Sequence, residues 1–212
     1  VLRECGVNKV EFVFNSVCIQ SSLDFDSHKH IMVVDIGKNV TDISVLNEYD
    51  FAFGRMYFLG GEDMDKSIVT FIADNYDLKI DKQTAESIKN EVASLYNRDM
   101  YSYEFVGTTE NNNLARASIT ANDIRLAISN VYDAIFERIN DVLKSLPAEV
   151  ANDVYNTAIV FVGGGSKIAG LYEYAKSKID FPIIVADEPA DAVVLGLGKL
   201  LAGDKDFLKI TL

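Results

Sequence analysis

The spacing of hydrophobic and polar residues along the chain changes between two patterns, one typical of strands and one typical of helices. Short apolar, β-branched runs at 31–35 and 42–46, bounded by turn residues, predict buried strands, and 51–59 predicts a third strand that completes a hairpin meander. From Gly60 the spacing becomes helical, with apolar residues at 64, 68, 71 and 72. A short strand at 10–14 and a short helix at 15–23 are predicted before the meander.

The middle of the chain predicts a mixture of helices and strands. A helix is predicted at 81–96, followed by an alternating strand at 100–106. Thr120, with an aspartate three residues later, is a candidate N-cap. A long amphipathic helix at 131–146 is ended by a proline.

The last part of the chain alternates strand and helix, which predicts an α/β fold. The strands are predicted at 157–165 and 182–187, and the helices at 166–179 and 190–203. We therefore expect a sheet subdomain formed by 1–59 and 130–212, with a smaller α/β subdomain, 60–129, inserted between its two parts.

Composition and charge narrow the classes of partner. The net charge of −12 argues against direct binding of nucleic acid or an anionic membrane, since both favour a basic protein surface. No apolar run reaches the roughly 18–20 residues that span a bilayer. Cys5 and Cys18 have neither disulfide-framework nor metal-site spacing, which favours a reduced cytoplasmic setting. His28 and His30 are interpreted as solvent-exposed loop residues rather than metal ligands.

The first residues, VLRECGVNKVEFVF, resemble the last turn of a helix, a glycine stop and a strand. A domain rarely begins with the end of a helix, and the chain lacks an initiator methionine. We therefore expect the C-terminal part of a longer protein.

The stretch HIMVVDIGKNVTDISVL, residues 30–46, contains the first candidate site. Asp35 ends a buried strand, Gly37 permits a sharp turn and Thr41 adds a hydroxyl group. A carboxylate, outward-pointing turn amides and a hydroxyl together suit hydrated Mg²⁺ with its phosphates. A plain hairpin with a capping aspartate is the alternative interpretation.

Two glycine-rich turns are the other candidates. In VFVGGGSKI, residues 160–168, glycines between a strand and a helix allow close backbone approach to a flat or anionic ligand. Neither the Walker A nor the G-x-G-x-x-G spacing is present. A ligand-free turn is an equally open interpretation. In GGEDMDKSIV, residues 60–69, a well-capped helix is the simpler interpretation.

The order and spacing of these turns resemble the C-terminal half of the actin/Hsp70/sugar-kinase ATPase superfamily. Within it, the chain is most similar to the MreB family of bacterial actin homologues. The resemblance implies an actin-like (ribonuclease H-like) lobe with a mixed sheet flanked by helices. The similar segments begin MVVDIGKNVTD, LGGEDMDKSIV, ITANDIRLAI and IVFVGGGSKIAG, and they cover residues 32–46, 59–96, 119–128 and 159–201.

The same resemblance implies how a nucleotide would be held, in a cleft between two lobes of which this chain is the second. A hairpin would contact the phosphates of ATP or ADP, with Asp35 holding Mg²⁺ through water. The triple glycine would pass under the adenosine, and two residues of the 81–96 helix would reach the adenine or ribose. Without the family, a solvated helix face explains those two residues. The implied residues are Asp35, Gly37, Thr41, Glu86, Lys89, Gly163, Gly164 and Gly165.

The family also implies partners and a location. Its members self-associate into filaments and act with cell-wall synthesis and shape-determining membrane proteins. The resemblance therefore implies a cytoplasmic protein, brought to the inner face of the membrane by the missing lobe, with no nucleic-acid partner.

Two departures from the family pattern bear on activity. The family hairpin reads D-x-G-G-G-T-T, whereas Lys38, Asn39 and Val40 follow Gly37 here; Asn tolerates positive φ, and Lys38 could supply a phosphate-facing charge. The stretch that carries the family's water-positioning glutamate is replaced by Phe14, Asn15 and a serine.

Two hypotheses follow: a filament-forming, nucleotide-dependent ATPase, and a non-hydrolysing scaffold with a degenerate site. A small-molecule kinase and an Hsp70-type chaperone are both disfavoured.

Overall fold

The computed structural model describes residues 4–7, 12–23, 28–48, 51–96 and 101–203. The helices are α1 (Asn15–Ser22), α2 (Gly61–Tyr76), α3 (Lys82–Val92), α4 (Ala121–Ser145), α5 (Ala148–Asn156), α6 (Leu171–Lys178) and α7 (Ala192–Leu201). The strands are β1 (Ile31–Ile36), β2 (Thr41–Leu46), β3 (Phe51–Tyr57), β4 (Ser102–Thr108), β5 (Leu114–Thr120), β6 (Ile159–Val162) and β7 (Ile183–Val185).

A five-stranded mixed sheet organises the fold, in the order β3-β2-β1-β6-β7. Strands β1, β2 and β3 pair antiparallel, which confirms the predicted meander. Strand β6 runs parallel to both β1 and β7. The mixed α/β class predicted from the sequence is confirmed.

Side chains of the central strands alternate between two cores, one on each face of the sheet. On β1, Met32 and Val34 join the larger core with α2, α3 and α4, whereas Ile31 and Val33 join the smaller core with α1 and α7. Both faces are covered, so β1 is apolar almost throughout. Asp35 continues the face of Ile31 and Val33 and is the polar end of this run.

A two-stranded antiparallel sheet, β4–β5, lies in the 60–129 region together with α2 and α3. Helix α4 begins immediately after β5 at the predicted Thr120 cap: the Thr120 hydroxyl accepts from the Asp123 amide, and the Asp123 carboxylate accepts from the Thr120 amide. The helix continues to Ser145, so the expected subdomain boundary at 130 falls inside one continuous helix. The division into subdomains stays a prediction.

Several local predictions differ from the structure. Residues 12–14 form no strand, and the rest of the predicted 10–14 strand lies outside the described residues. Helix α5 was not predicted. The 166–179 prediction splits into a 3₁₀ turn and α6, because Gly170 adopts a φ of 86° that interrupts the helix. His30 is buried rather than exposed, with Nδ1 2.9 Å from Asp153 Oδ2.

Both cysteines are free thiols; Cys5 is exposed and Cys18 is buried. No helix in the described parts of the chain combines the length and the apolar character needed to cross a membrane.

Helices α1 and α7 pack with their backbones in close approach. Ser21 Oγ donates to the carbonyl oxygens of Cys18 on its own helix, at 2.6 Å, and of Gly196 on α7, at 3.0 Å. A Cβ atom on Gly196 would overlap the Cys18 carbonyl oxygen, whereas a Cβ on Gly198 would meet open space. Glycine at 196 therefore sets the distance between the two helices.

We expect Gly196→Ala to lower the free energy of unfolding by about 2 kcal/mol, because the added methyl group overpacks the α1–α7 contact. The matched variant Gly198→Ala should raise it by about 0.5–1 kcal/mol, since alanine is the better helix former. Urea denaturation followed by circular dichroism measures both. Equal stability of the two variants would contradict the close approach.

Candidate functional site

The turn between β1 and β2, residues 37–40, is the first element of the candidate site. The Gly37 amide donates to the Val40 carbonyl oxygen at 2.9 Å and closes the turn. The flanking strands pair Asp35 with Asp42 and Ile36 with Thr41. Lys38 and Asn39 are exposed at its tip.

This turn docks onto the N-terminus of α2. The amide of Gly61 donates to the Gly37 carbonyl oxygen at 3.0 Å, and the amide of Glu62 donates to that of Lys38 at 2.7 Å. A Cβ atom on Gly60 would lie 2.6 Å from the Gly37 oxygen, so the contact requires glycine there. The glycine pair thus holds the turn, and these two amides are not available to a ligand.

The second element is the glycine bend, residues 163–165, at the end of β6. Gly163 has a φ of 84°, and a Cβ there would overlap the Asp35 carboxylate and lie 2.5 Å from the Ile36 carbonyl oxygen. A Cβ on Gly165 would overlap the Ile36 side chain, whereas one on Gly164 would meet no atom within 4 Å. Two glycines permit contact with β1, and Gly164 faces open space.

Tyr132 supports the glycine bend from α4. Its hydroxyl donates to the Gly165 carbonyl oxygen at 2.7 Å, and its ring is fully buried. Burial raises the pKa of the Tyr132 phenol far above its usual range, so the group remains a hydrogen-bond donor.

The turn and the glycine bend line one cavity of about 480 Å³, here called the central cavity. Of the sequence-predicted site residues, Gly37, Glu86, Lys89, Gly164 and Gly165 line it. The other residues of its lining are Lys38, for which the sequence suggested a phosphate-facing charge, and Gly61, Met64, Asn90, Ala93, Tyr132, Lys167, Ile168 and Ala190.

Lys89 contributes to the wall of the cavity through a buried ion pair. Its ammonium lies 2.6 Å from Asp65 Oδ1 and donates to the Gly61 carbonyl oxygen at 3.2 Å. The side chains of Lys89 and Asp65 are 15% and 4% exposed. Lys89 therefore fastens α3 to the first turn of α2. Asp65 was not selected as a site residue from the sequence, because an aspartate near the start of a helix has no local feature that marks it as an ion-pair partner.

Glu86 lies one helical turn before Lys89 and pairs with Lys38 across the cavity. The Lys38 ammonium donates to Oε1 at 3.0 Å and to Oε2 at 3.1 Å. The hydrogen bond and the charge of Lys38 lower the pKa of the Glu86 carboxyl, and Glu86 raises the pKa of Lys38 in the same way. Both groups are charged at neutral pH.

Asp35, Thr41 and Gly163 do not line the central cavity. Thr41 is 1% exposed, and its hydroxyl donates to the Leu59 carbonyl oxygen at 2.8 Å. Asp35 lies against Gly163 at the edge where β1 and β6 end. Burial raises the pKa of the Asp35 carboxyl, and the negative charge of Asp42 on the paired strand raises it further.

Asp35 and Asp42 supply two carboxylates. This number suits a hydrated magnesium ion better than a metal site in which protein side chains provide every ligand. In the part of the chain that the structure describes, no three His, Cys, Asp or Glu side chains are grouped to hold a metal ion. Mg²⁺ usually keeps several waters and takes one or two carboxylates plus phosphate oxygens. A bound cation would also offset the repulsion that raises the Asp35 pKa.

Comparison with known proteins identifies the family. The profile of the MreB/Mbl protein family matches residues 1–209. The chain belongs to the MreB/Mbl family. It is 28% identical over 172 residues to the cell shape-determining protein Mbl of Bacillus subtilis, which covers 80% of this chain and 52% of Mbl. It is 29% identical to MreB of Escherichia coli over the same length, 80% of this chain and 50% of that protein.

Solved structures show the same actin-like fold. MreB5 of Spiroplasma citri bound to ADP superposes with a TM-score of 0.87 at 22% identity, covering 96% of this chain and 65% of MreB5. The MamK double helical filament gives a TM-score of 0.74 at 22% identity, covering 90% of this chain and 59% of MamK. This chain thus spans about half the length of the curated MreB and Mbl relatives that it matches.

We expect Lys89→Met to lower the free energy of unfolding by about 3 kcal/mol or more, because it leaves the Asp65 carboxylate buried without its cation. Adding Asp65→Asn should recover most of this loss, since no buried charge then remains. Lys66→Met is the control, because it removes a surface ion pair with Asp63 and should leave stability close to wild type. Equal losses for Lys89→Met and Lys66→Met, measured by urea denaturation, would contradict the assignment.

Proposed function

We propose that the central cavity is the nucleoside-binding part of a nucleotide site in an actin-like filament protein. The ligand is ATP or ADP with Mg²⁺, and the filaments act in cell shape and cell-wall morphogenesis. The partners would be further copies of the protein and the membrane proteins of cell-wall synthesis.

The observation that carries the proposal is the meeting of two turns and a helix in one cavity. Gly164 offers bare backbone with open space beside it, which suits the close approach of a flat base or ribose. Glu86 and Asn90 face the same space with groups that hydrogen-bond hydroxyl and amino groups. A flat polar ligand therefore fits between α3 and the glycine bend.

The phosphates would extend from this cavity toward the β1–β2 turn. Lys38 supplies a cation there, and Asp35 with Asp42 supplies the carboxylates for a hydrated Mg²⁺. Mg²⁺, when bound, would neutralise phosphate charge. Thr41 would act indirectly, since its hydroxyl fixes the end of the turn to Leu59.

The solved relatives support a nucleotide and a filament. The MreB5 structures contain ADP in one case and AMPPNP in the other. MamK was solved as a double helical filament and also as a non-polymerising mutant bound to AMPPNP. The Mbl and MreB relatives are named cell shape-determining proteins.

We expect this chain to bind ADP weakly, because it spans about half the length of its curated relatives and supplies only part of the phosphate contacts. Gly164→Leu should abolish binding by filling the cavity, since a side chain there meets no protein atom. Gly198→Leu is the matched control, because it also points into open space but lies on α7. Ligand-observed NMR with ADP, with and without Mg²⁺, measures all three proteins.

Two outcomes of that titration would overturn the nucleotide proposal. One is the absence of any ADP signal with the wild-type chain at saturating concentration. The other is an equal signal from the wild-type and Gly164→Leu proteins, which would locate the ligand elsewhere.

A non-hydrolysing scaffold is the second candidate function, and the described residues favour it over an active ATPase. Phe14 stacks on Phe51 with ring centroids 5.2 Å apart, and neither Phe14 nor Asn15 lines the central cavity. Among the described residues that line this cavity, Glu86 is the only carboxylate, and Lys38 holds both its oxygens. While it is paired with Lys38, Glu86 is not available to orient a water for attack on phosphate.

We expect phosphate release from ATP by this protein to stay at background, with and without Mg²⁺. A coupled phosphate assay measures it, with Escherichia coli MreB in parallel as the family comparison. Turnover clearly above background would remove the scaffold interpretation and favour the ATPase.

A further inference from the structure

We propose that Lys38 is a specificity-determining residue that leaves Glu86 for the phosphates of the ligand and so makes the central cavity select nucleotides over nucleosides. The inference rests on the proposed nucleotide function. It concerns a lysine at a turn position where the family pattern has glycine.

The backbone of Lys38 is fixed on α2, whereas most of its side chain is exposed to solvent. Its carbonyl oxygen accepts from the Glu62 amide at 2.7 Å, so the turn is fixed on α2. Its side chain is 60% exposed and reaches Glu86, 48 positions further along the chain. The ammonium can therefore swing between two partners without movement of the turn.

The Lys38–Glu86 ion pair is weak enough to exchange. The Glu86 side chain is 39% exposed, and an ion pair in such a solvated position contributes little to stability. A diphosphate carries more negative charge than a carboxylate and forms stronger charge-assisted hydrogen bonds with an ammonium. The phosphates of a ligand would thus compete successfully for Lys38.

The other lysines of the lining are placed differently. Lys89 is held by the buried Asp65 and by the Gly61 carbonyl oxygen. Lys167 follows the glycine bend and belongs to a different element from the β1–β2 turn. Among the lysines that line the central cavity, Lys38 is the one in the β1–β2 turn, where the phosphates would lie.

Departure of Lys38 also frees Glu86. In the structure, both oxygens of Glu86 accept from Lys38. With a nucleotide, the phosphates take the ammonium and the carboxylate becomes available to ribose hydroxyls or the adenine amino group. Phosphate recognition and nucleoside recognition are thereby coupled through one side chain.

The test compares adenosine and ADP binding to the wild-type chain and to Lys38→Met by NMR titration. We expect Lys38→Met to weaken ADP about tenfold, through loss of a charge-assisted hydrogen bond. It should strengthen adenosine about two- to fivefold, because Glu86 no longer has to be released from an ion pair. The ratio of ADP to adenosine affinity should therefore fall about 20- to 50-fold.

Lys82→Met is the matched control. Lys82 lies on α3 like Glu86, is 65% exposed and pairs with Glu62, but it does not line the central cavity. This variant removes the same charge and a comparable ion pair, so it should leave the affinity ratio unchanged. In a Glu86→Gln background, Lys38→Met should still weaken ADP but should no longer strengthen adenosine.

An unchanged ratio in Lys38→Met would overturn the inference, as would an equal fall in the ratio for Lys82→Met. If ADP binding is present and abolished by Gly164→Leu, such a result leaves the nucleotide proposal intact. If the wild-type chain binds neither ligand, both proposals fall together.

Discussion

The contact between the β1–β2 turn and the first turn of α2 is the constraint on which the site depends. Gly61 is at its centre, because its amide donates to the Gly37 carbonyl oxygen and its own carbonyl accepts from Lys89. One residue thus joins the turn, α2 and α3. Gly60 allows this approach, since any side chain there would collide with the turn. Without this contact, the turn and α3 would not be held in fixed positions relative to each other, and the cavity would lose one wall.

The opposite wall is positioned by the sheet itself. Strands β1 and β6 are parallel neighbours, with Asp35 paired to Val162, so the turn after each strand emerges at the same edge. Ligands of α/β sheets generally lie outside the carboxyl ends of strands, where such turns meet. Glycine at 163 and 165 then lets the bend press directly on Asp35 and Ile36. The parallel pairing of β1 and β6 brings the two turns near each other, and the absence of side chains at Gly163 and Gly165 allows their close contact.

The same distinction explains which features could be predicted from sequence. The meander, the glycine bend and the Thr120 cap depend on local pattern, and each is present. The partners of Lys38, Lys89 and Tyr132 lie 24 to 48 positions away on other elements, and no local pattern encodes such pairings. Burial of His30 was likewise decided by tertiary packing.

The β1–β2 turn keeps its closed conformation although its sequence departs from the family pattern. The reason for this could not be predicted from the sequence. Tolerance of positive φ by Asn39 was the expected reason. Asp77 and Asn112 are the non-glycine residues with positive φ in the described parts of the chain, so positions 38 and 39 do not need glycine.

The backbone hydrogen bonds of Gly37 and Lys38 are sufficient to hold the turn, and they do not depend on side chains. The tip is therefore free to carry functional groups: Lys38 reaches Glu86 on α3, and the Asn39 amide donates to Glu62 on α2. The substitutions at 38 and 39 thus add chemistry to a turn that, with glycines, would offer only backbone.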